Sequence, residues 1–296
     1  MVTGGTGFVG QILVRQLVAE GKPVRILLRP SIKTPSLPKG VSVEVAVSSL
    51  FDERSLRAAM QDVAIIFHLA GDERQGTRAN LTGVDIEGTQ SLTHVASQVG
   101  VSRIFYLSHL GADRASAYAL LKSKAISEGH VMNCGIDYTI FRSAIIFGRN
   151  DQFTSSLARL LKYSPGFAFI PGDGSIILQP ISVEDLVACM ILSMDDPNSR
   201  NTIYSVGGGE YLSLLNIIQI IMDVTKKHRF LVPISPVFLR TITLWVEQVI
   251  RRSPISIHWL DYVATDRTCS LDTLPRIFGI IPERLSNQLD YLRGKI

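Results

Sequence analysis

Three glycines at intervals of three, Gly4, Gly7 and Gly10, sit in the run Thr3-Gly4-Gly5-Thr6-Gly7-Phe8-Val9-Gly10, with only Met1 and Val2 before it. The first glycine of such a set permits a tight turn. The second lets another group come close to the backbone, and the third lets a helix pack tightly on a strand. The next segment, Phe8 to Glu20, carries apolar residues at Val9, Ile12, Leu13, Leu17 and Val18, the period of a helix, and Gly21 and Pro23 stop it. A strand, a glycine turn and a helix N-terminus in succession make an anion site, because unpaired N–H groups and the positive end of the helix dipole converge there. The run from Thr3 through Gly4, Gly5, Thr6, Gly7, Phe8 and Val9 to Gly10 is therefore predicted to cradle the pyrophosphate of a dinucleotide. A first parallel strand ordinarily takes about five residues, so this one is expected to be very short, or the protein's true start to lie upstream.

The first half alternates two kinds of segment. Val24–Leu28, Val41–Val47, Ala64–Gly71, Arg103–Ser108 and Tyr138–Arg142 read as strands, the third running into a turn, while Leu56–Met60, Val84–Val99 and Ser123–Asn133 read as helices. Continuous apolar strands interleaved with helices predict a parallel sheet covered on both faces. The expected fold class is α/β, a Rossmann-type doubly wound parallel sheet with a smaller C-terminal lobe. Residues 1–150 are assigned to the nucleotide-binding domain, and 151–296 to a substrate or partner lobe with segments returning to the sheet. In that second half, Gly166–Pro180 is rich in glycine and proline, and Ser205–Gly209 reads as a strand ending in a turn. Two amphipathic helices are expected near Leu212–Thr225 and Val237–Arg251.

The end of the second strand selects the cofactor. A carboxylate there accepts bonds from the ribose hydroxyls of NAD, whereas a cation can pair with the 2′-phosphate of NADP. This chain has Arg29, followed by Ser31 and Lys33, so NADP(H) is favoured over NAD(H).

Further segments resemble the extended and atypical branch of the short-chain dehydrogenase/reductase superfamily over nearly the whole chain. The TGxxGxxG spacing is that of the branch. Phe67-His68-Leu69-Ala70-Gly71 resembles the turn beside the adenosine ribose, which adds Leu69, Ala70 and Gly71 to the cofactor set. Gly88-Thr89, Tyr106-Leu107-Ser108, Thr139–Arg142 with Phe147-Gly148, and Gln179–Leu186 match other stretches of the branch, although Ser143 replaces the usual proline after the arginine. Ser48-Ser49 stands where an acidic residue often contacts adenine. The resemblance implies an NAD(P)-dependent oxidoreductase or epimerase acting on a carbonyl or sugar-like substrate. Within the branch, the nucleotide-binding accessory subunit of respiratory complex I and its bacterial relatives are the nearest in kind, which implies instead a non-catalytic NADP(H)-holding subunit of a membrane-associated complex.

Catalysis in this superfamily uses a tyrosine whose proton moves to or from the substrate oxygen, a lysine four residues on that lowers the tyrosine pKa and holds the ribose, and a serine that positions the carbonyl. Tyr118, Lys122 and Ser108 supply that set. A second register is also open. Ser123-Lys124-Ala125-Ile126-Ser127-Glu128 resembles the branch's SKxxxE pattern, which makes Lys124 the family lysine and puts Leu120 at the tyrosine position.

His68 is expected to line the cofactor pocket or support a turn. His109 has no visible partner, and Asp185 is expected to fix a loop or cap a helix. Cys134, Cys189 and Cys269 are too scattered for a metal site, and reduced, buried thiols are expected. A net charge of +4 without a basic block argues against nucleic acid. No stretch is long and apolar enough to span a membrane, so the expected location is cytoplasmic, with room for peripheral membrane or membrane-complex docking through Val237–Arg252. There Phe238, Ile242, Trp245, Val246 and Val249 share a helical face flanked by Arg240, Arg251 and Arg252, with Lys226-Lys227-His228-Arg229 just before. Such a face suits a membrane surface or a partner's groove. The alternative is a lid packed over a substrate pocket. The substrate and any protein partner are not named by the sequence.

Overall fold

The computed structural model describes residues 1–31, 35–249 and 256–293. Lys33, Ile250, Arg251 and Arg252, all part of the expectations above, lie outside the described residues.

In chain order the elements are β1 (Val2–Thr3), α1 (Phe8–Ala19), β2 (Arg25–Leu28), β3 (Glu44–Val47), α2 (Glu53–Ala59), β4 (Ile65–His68), α3 (Gly88–Val99), β5 (Arg103–His109), α4 (Ala119–Met132) and β6 (Asp137–Ser143). There follow β7 (Ile146–Phe147), α5 (Phe153–Tyr163), β8 (Phe167–Pro171), β9 (Ile177–Leu178), β10 (Ile181–Ser182), α6 (Val183–Asp195), β11 (Thr202–Val206), β12 (Leu212–Ser213), α7 (Leu214–Thr225), β13 (Phe230–Ile234), α8 (Pro236–Val249) and α9 (Ile257–Tyr262).

Seven strands form one parallel sheet in the order β11-β6-β5-β4-β1-β2-β3, the doubly wound arrangement expected from the alternation of strands and helices. β1 is two residues long, yet it pairs on both sides: Val2 stands opposite Ile26 and Phe67, and Thr3 opposite Leu27 and His68. The strand order reverses at β1, so the glycine turn that follows it lies at the switch point where such sheets bind ligands.

By its internal contacts the chain divides into two units. The first holds Met1–Glu73, Asn80–Arg142 and Val187–Tyr204, and the second holds Arg74–Ala79, Ser143–Leu186 and the described residues from Ser205 on. The core of the first unit gathers Leu27, Leu56, Ile66, Leu92, Ile104 and Ile140 from the sheet and its flanking helices. In the second unit, α5, α7 and the C-terminal turns close over Phe153, Leu157, Ile217, Ile221 and Leu289.

Several expectations sharpen in the second unit. The Gly/Pro-rich stretch contains the strand β8, which pairs in parallel with β13. Gln179 is buried and lies against the glycine triplet: its Nε2 donates to the Gly208 carbonyl at 2.7 Å, and a Cβ on Gly208 would fall 1.9 Å from the Pro180 oxygen. Asp185 fixes a loop, accepting from the Glu283 N–H at 2.9 Å. On α8 the packed face is Leu239, Thr243 and Glu247, with Glu247 accepting from the Thr77 N–H at 3.0 Å. The stripe Phe238, Ile242, Trp245 and Val249 points the other way and is exposed, so the aromatic face is not the packed one. The expectation of buried cysteines is also corrected. All three are free thiols, but only Cys189 is buried, while Cys134 and Cys269 lie in partly covered positions.

Candidate functional site

The glycine turn is held by backbone contacts that leave no room for side chains. Gly4 has φ of +71°, a left-handed conformation that favours glycine, and a Cβ there would lie 2.7 Å from the Leu69 oxygen. The Gly7 N–H donates to the Gly4 carbonyl at 2.8 Å, and the Gln11 amide donates to the Thr6 carbonyl at 3.0 Å. Beyond Gly4, nothing stands within 4 Å of a Cβ placed on Gly7, so this backbone is open on its outer side. Gly7 is also the N-cap of α1, and no side chain caps the helix. The N–H groups of its first turn are thus left to serve an anion.

Behind the turn runs a chain of hydrogen bonds whose direction is fixed by its ends. The Ala70 N–H donates to Thr3 Oγ1 at 3.3 Å, and Thr3 Oγ1 meets His68 Nδ1 at 2.7 Å. On the other side of the ring, His68 Nε2 meets Thr89 Oγ1 at 2.9 Å, and Thr89 donates to the Asp85 carbonyl. With the Thr89 hydrogen committed to that carbonyl, Nε2 must be the protonated ring nitrogen and Nδ1 the acceptor from Thr3. His68 is a neutral ring buckling β1, β4 and α3 together beneath the Leu69-Ala70-Gly71 turn.

Complete burial, aided by the nearby Lys124 charge, depresses the His68 pKa from 6.5 to about 3. A histidine held neutral in the folded state takes up its proton more readily when unfolded. Its stabilising effect is therefore complete above pH 6.5 and is lost progressively as the pH falls towards 3. Urea midpoints between pH 7 and pH 4 should accordingly fall more steeply for the natural chain than for His68→Gln. Equal slopes would show that His68 does not set the acid limit.

Lys124 and Asp85 form a second buried group, with Nζ and Oδ1 3.0 Å apart. Burial works against the lysine charge, but Tyr106 and Asp85 beside it more than restore that charge and hold its pKa above the ordinary value. The ammonium sits 5.6 Å from the centre of the Tyr106 ring, and burial raises the pKa of that phenol. Both members of the pair press on the turn after β4: a Cβ on Gly71 would stand 3.0 Å from Asp85 Oδ1 and 3.2 Å from Lys124 Nζ. Asp85 Oδ2 also accepts from the Asp72 N–H at 3.2 Å. Four residues beyond Lys124, Glu128 is buried and takes a two-pronged bond from Arg142, at 3.0 and 2.6 Å. The SKxxxE segment is thereby joined to the end of β6.

The remaining expected residues fall as follows. Ser108 is the penultimate residue of β5, its hydroxyl buried and without a hydrogen-bond partner among the described residues. Tyr118 is the extended N-cap of α4, half-buried, and Lys122 is exposed. Leu120 is buried. Arg29 is exposed immediately past β2. Ser48 is buried and bonded to Ser55 at 2.7 Å. His109, which showed no partner in the sequence, bonds Glu73 at 2.8 Å. Asp85 is the residue that pattern reading missed. Its one signal is its four-residue spacing from Thr89, which puts the two on one helical face.

Strand order, switch-point turn and uncapped helix together define a dinucleotide-binding α/β protein. The chain belongs to the NAD(P)H-binding family, whose model matches residues 4–160. It is 31% identical over 85% of its length to the sterol demethylase protein B of Methylococcus capsulatus, covering 82% of that protein. It is 28% identical over 76% of its length to NADH dehydrogenase (ubiquinone) 1 alpha subcomplex subunit 9, mitochondrial, of Arabidopsis thaliana, of which it covers 58%. In fold it matches the triphenylmethane reductase of Citrobacter, with a TM-score of 0.77 at 19% identity over 99% of this chain and 98% of the other. The resemblance to the short-chain dehydrogenase/reductase branch, with complex I accessory subunits among the relatives, therefore holds. Among the described residues no helix is long and apolar enough to cross a membrane, and no group of side chains is arranged to hold a metal ion.

Proposed function

We propose that this chain holds NADP(H) as a retained ligand, in the manner of an accessory subunit. The observation that carries this reading is the buried Lys124–Asp85 pair. In the register of the SKxxxE segment, Lys124 is the lysine that the resemblance assigns to a proton-donating tyrosine. Its charge is engaged by Asp85 instead, and the position four residues earlier is the buried, apolar Leu120. Tyr118 and Lys122 keep the phenol-to-amine spacing, but Lys122 is exposed and Tyr118 precedes the first helical residue. When bound, the nicotinamide would supply hydride chemistry. What the surrounding residues are equipped to do is bind the pyrophosphate at Thr3–Gly10, support the Leu69–Gly71 turn and keep the site rigid. Arg29, a cation with no carboxylate beside it at the end of β2, supports NADP(H) as the preferred form. The exposed α8 stripe supplies the docking face that an accessory subunit requires.

A second reading, a reductase using Ser108, Tyr118 and Lys122, is supported by the unpartnered Ser108 hydroxyl near the end of β5. It is also supported by a relative named ceramide reductase in Caulobacter vibrioides, 28% identical over 64% of this chain.

Mass spectrometry of the co-purified nucleotide separates the cofactors, and turnover separates the readings. Arg29→Glu should weaken NADPH by roughly 10–100-fold, as loss of a charge-assisted bond does, and should not weaken NADH, whose ribose hydroxyls can bond the new carboxylate. The natural chain should show no NADPH oxidation with carbonyl substrates. Turnover that Tyr118→Phe abolishes would replace the first reading by the second.

A further inference from the structure

The second unit carries an apolar surface that ordinary packing leaves open. β8 and β13 pair so that Phe167 faces Phe230 and Phe169 faces Val232. The alternate residues Ala168 and Ile170 are buried, so the two-residue period of a strand throws these four side chains onto the outer face. All four are exposed, Phe230 to 84%.

One end of this face is basic. The Phe230 N–H donates to the Gly166 carbonyl at 2.9 Å, and Arg229 Nε donates to the Ser164 carbonyl at 3.0 Å. These bonds bring Arg229 beside the end of α5, where Lys162 lies 5.5 Å over the exposed ring of Tyr163, and Lys227 precedes Arg229 by two residues. At the other end β13 leads into α8. Leu239 and Phe169 line one small apolar cavity, so the start of the helix abuts β8. On α8 the exposed residues Phe238, Ile242, Trp245 and Val249 follow one another at helical spacing, with Trp245 exposed to 68% and Val249 to 82%. The carboxylates of these helices are committed elsewhere: Glu247 to Thr77, and Asp261 to Arg240. Asp223 stands 3.9 Å from His228.

We propose that this surface, the β8–β13 face together with the α8 stripe, lies against a lipid bilayer bearing anionic headgroups. The inference deepens the docking reading above by naming its partner, and it does not depend on whether the nucleotide turns over. Exposed apolar area of this kind, on two elements joined end to end, marks an interaction site. Aromatic side chains backed by lysine and arginine match the interface of an anionic membrane. A protein partner fits less well, because lysine is depleted from protein interfaces whereas Lys162 and Lys227 lie in the segments that lead into β8 and β13. The 14 described residues of α8 run about 21 Å at 1.5 Å per residue, shorter than a bilayer's hydrocarbon core and suited to lying in its plane.

The test uses the full chain, with vesicles of neutral phosphatidylcholine and vesicles in which about a third of the lipid is phosphatidylglycerol. The chain should sediment with the anionic vesicles at least tenfold more strongly, and added salt should weaken this binding. Tryptophan emission should shift to the blue, and the shift should vanish in Trp245→Phe. The pair Lys162→Glu/Lys227→Glu and the pair Phe230→Ser/Phe238→Ser should each lose at least tenfold in binding, with NADPH affinity unchanged as the check on folding. Absence of sedimentation with anionic vesicles, or sedimentation that neither pair of substitutions alters, overturns the proposal. In either case an intact NADPH titration leaves the cofactor reading in place.

Discussion

Replacing Lys124 by methionine is expected to cost the protein about 3–5 kcal/mol, the usual penalty for leaving one member of a buried ion pair alone. Lys124 and Asp85 are both buried and 3.0 Å apart, so removing the ammonium leaves a buried carboxylate with no other ion-pair partner among the described residues. In a domain of this size the loss corresponds to a melting temperature lower by roughly 10 °C. Lys122→Met, on the exposed side of the same helix, should fall within about 0.5 kcal/mol of the natural chain. Methionine at 124 with leucine at 85 should recover most of the loss, because no stranded charge remains. NADPH affinity should drop in the single variant, since Asp85 also takes the Asp72 N–H and presses on Gly71. A Lys124→Met protein that melts like Lys122→Met would show that the pair carries no weight, and the retained-ligand reading would lose its main support.

The contrast between the two lysines shows how far the sequence could be read. The sheet was legible because parallel strands buried on both faces are runs of apolar residues, such as Ile65–His68 and Arg103–His109, and no other element has that texture. The glycine turn was legible because Gly4 and Gly10 each answer a local steric demand. The Lys124–Asp85 pair joins residues 39 positions apart, and each, read alone on a helix, counts as a solvated charge. Only the resemblance to SKxxxE marked Lys124, and nothing marked Asp85 until Thr89 was seen beside it. The second unit was opaque for a related reason. Its β8–β13 sheet sits in a Gly/Pro-rich stretch and just beyond a basic one, and it exposes the phenylalanines that pattern reading would assign to a core. On α8 the hydrophobic stripe was legible, but the sequence left open whether it faced outward or packed as a lid, and the helix settles this by packing on Leu239, Thr243 and Glu247 instead.

The phosphate turn itself yields the sharpest expected loss of function. A Cβ on Gly10 would stand 2.2 Å from the Gly4 oxygen and 2.8 Å from the Gly5 Cα, so Gly10→Ala cannot be absorbed by a flexible side chain. Gly4 cannot retreat. Its conformation is left-handed, its carbonyl holds the Gly7 N–H at 2.8 Å, and the Leu69 backbone stands behind it. The added methyl must therefore push α1 off the strand or open the turn, and either outcome disperses the N–H groups proposed to hold the pyrophosphate. The expected result is a stability loss of about 1–3 kcal/mol, typical of overpacking. With it should come a loss of about 100-fold or more in NADPH affinity, or ~3 kcal/mol, measured by titration at a temperature where the variant is folded. Gly135→Ala separates the two effects. Gly135 has φ of +78° with nothing within 4 Å of a Cβ, so alanine there should cost about 1–2 kcal/mol of backbone strain and leave NADPH binding as it was. Equal affinities in the two variants would mean that the nucleotide is not held by this turn.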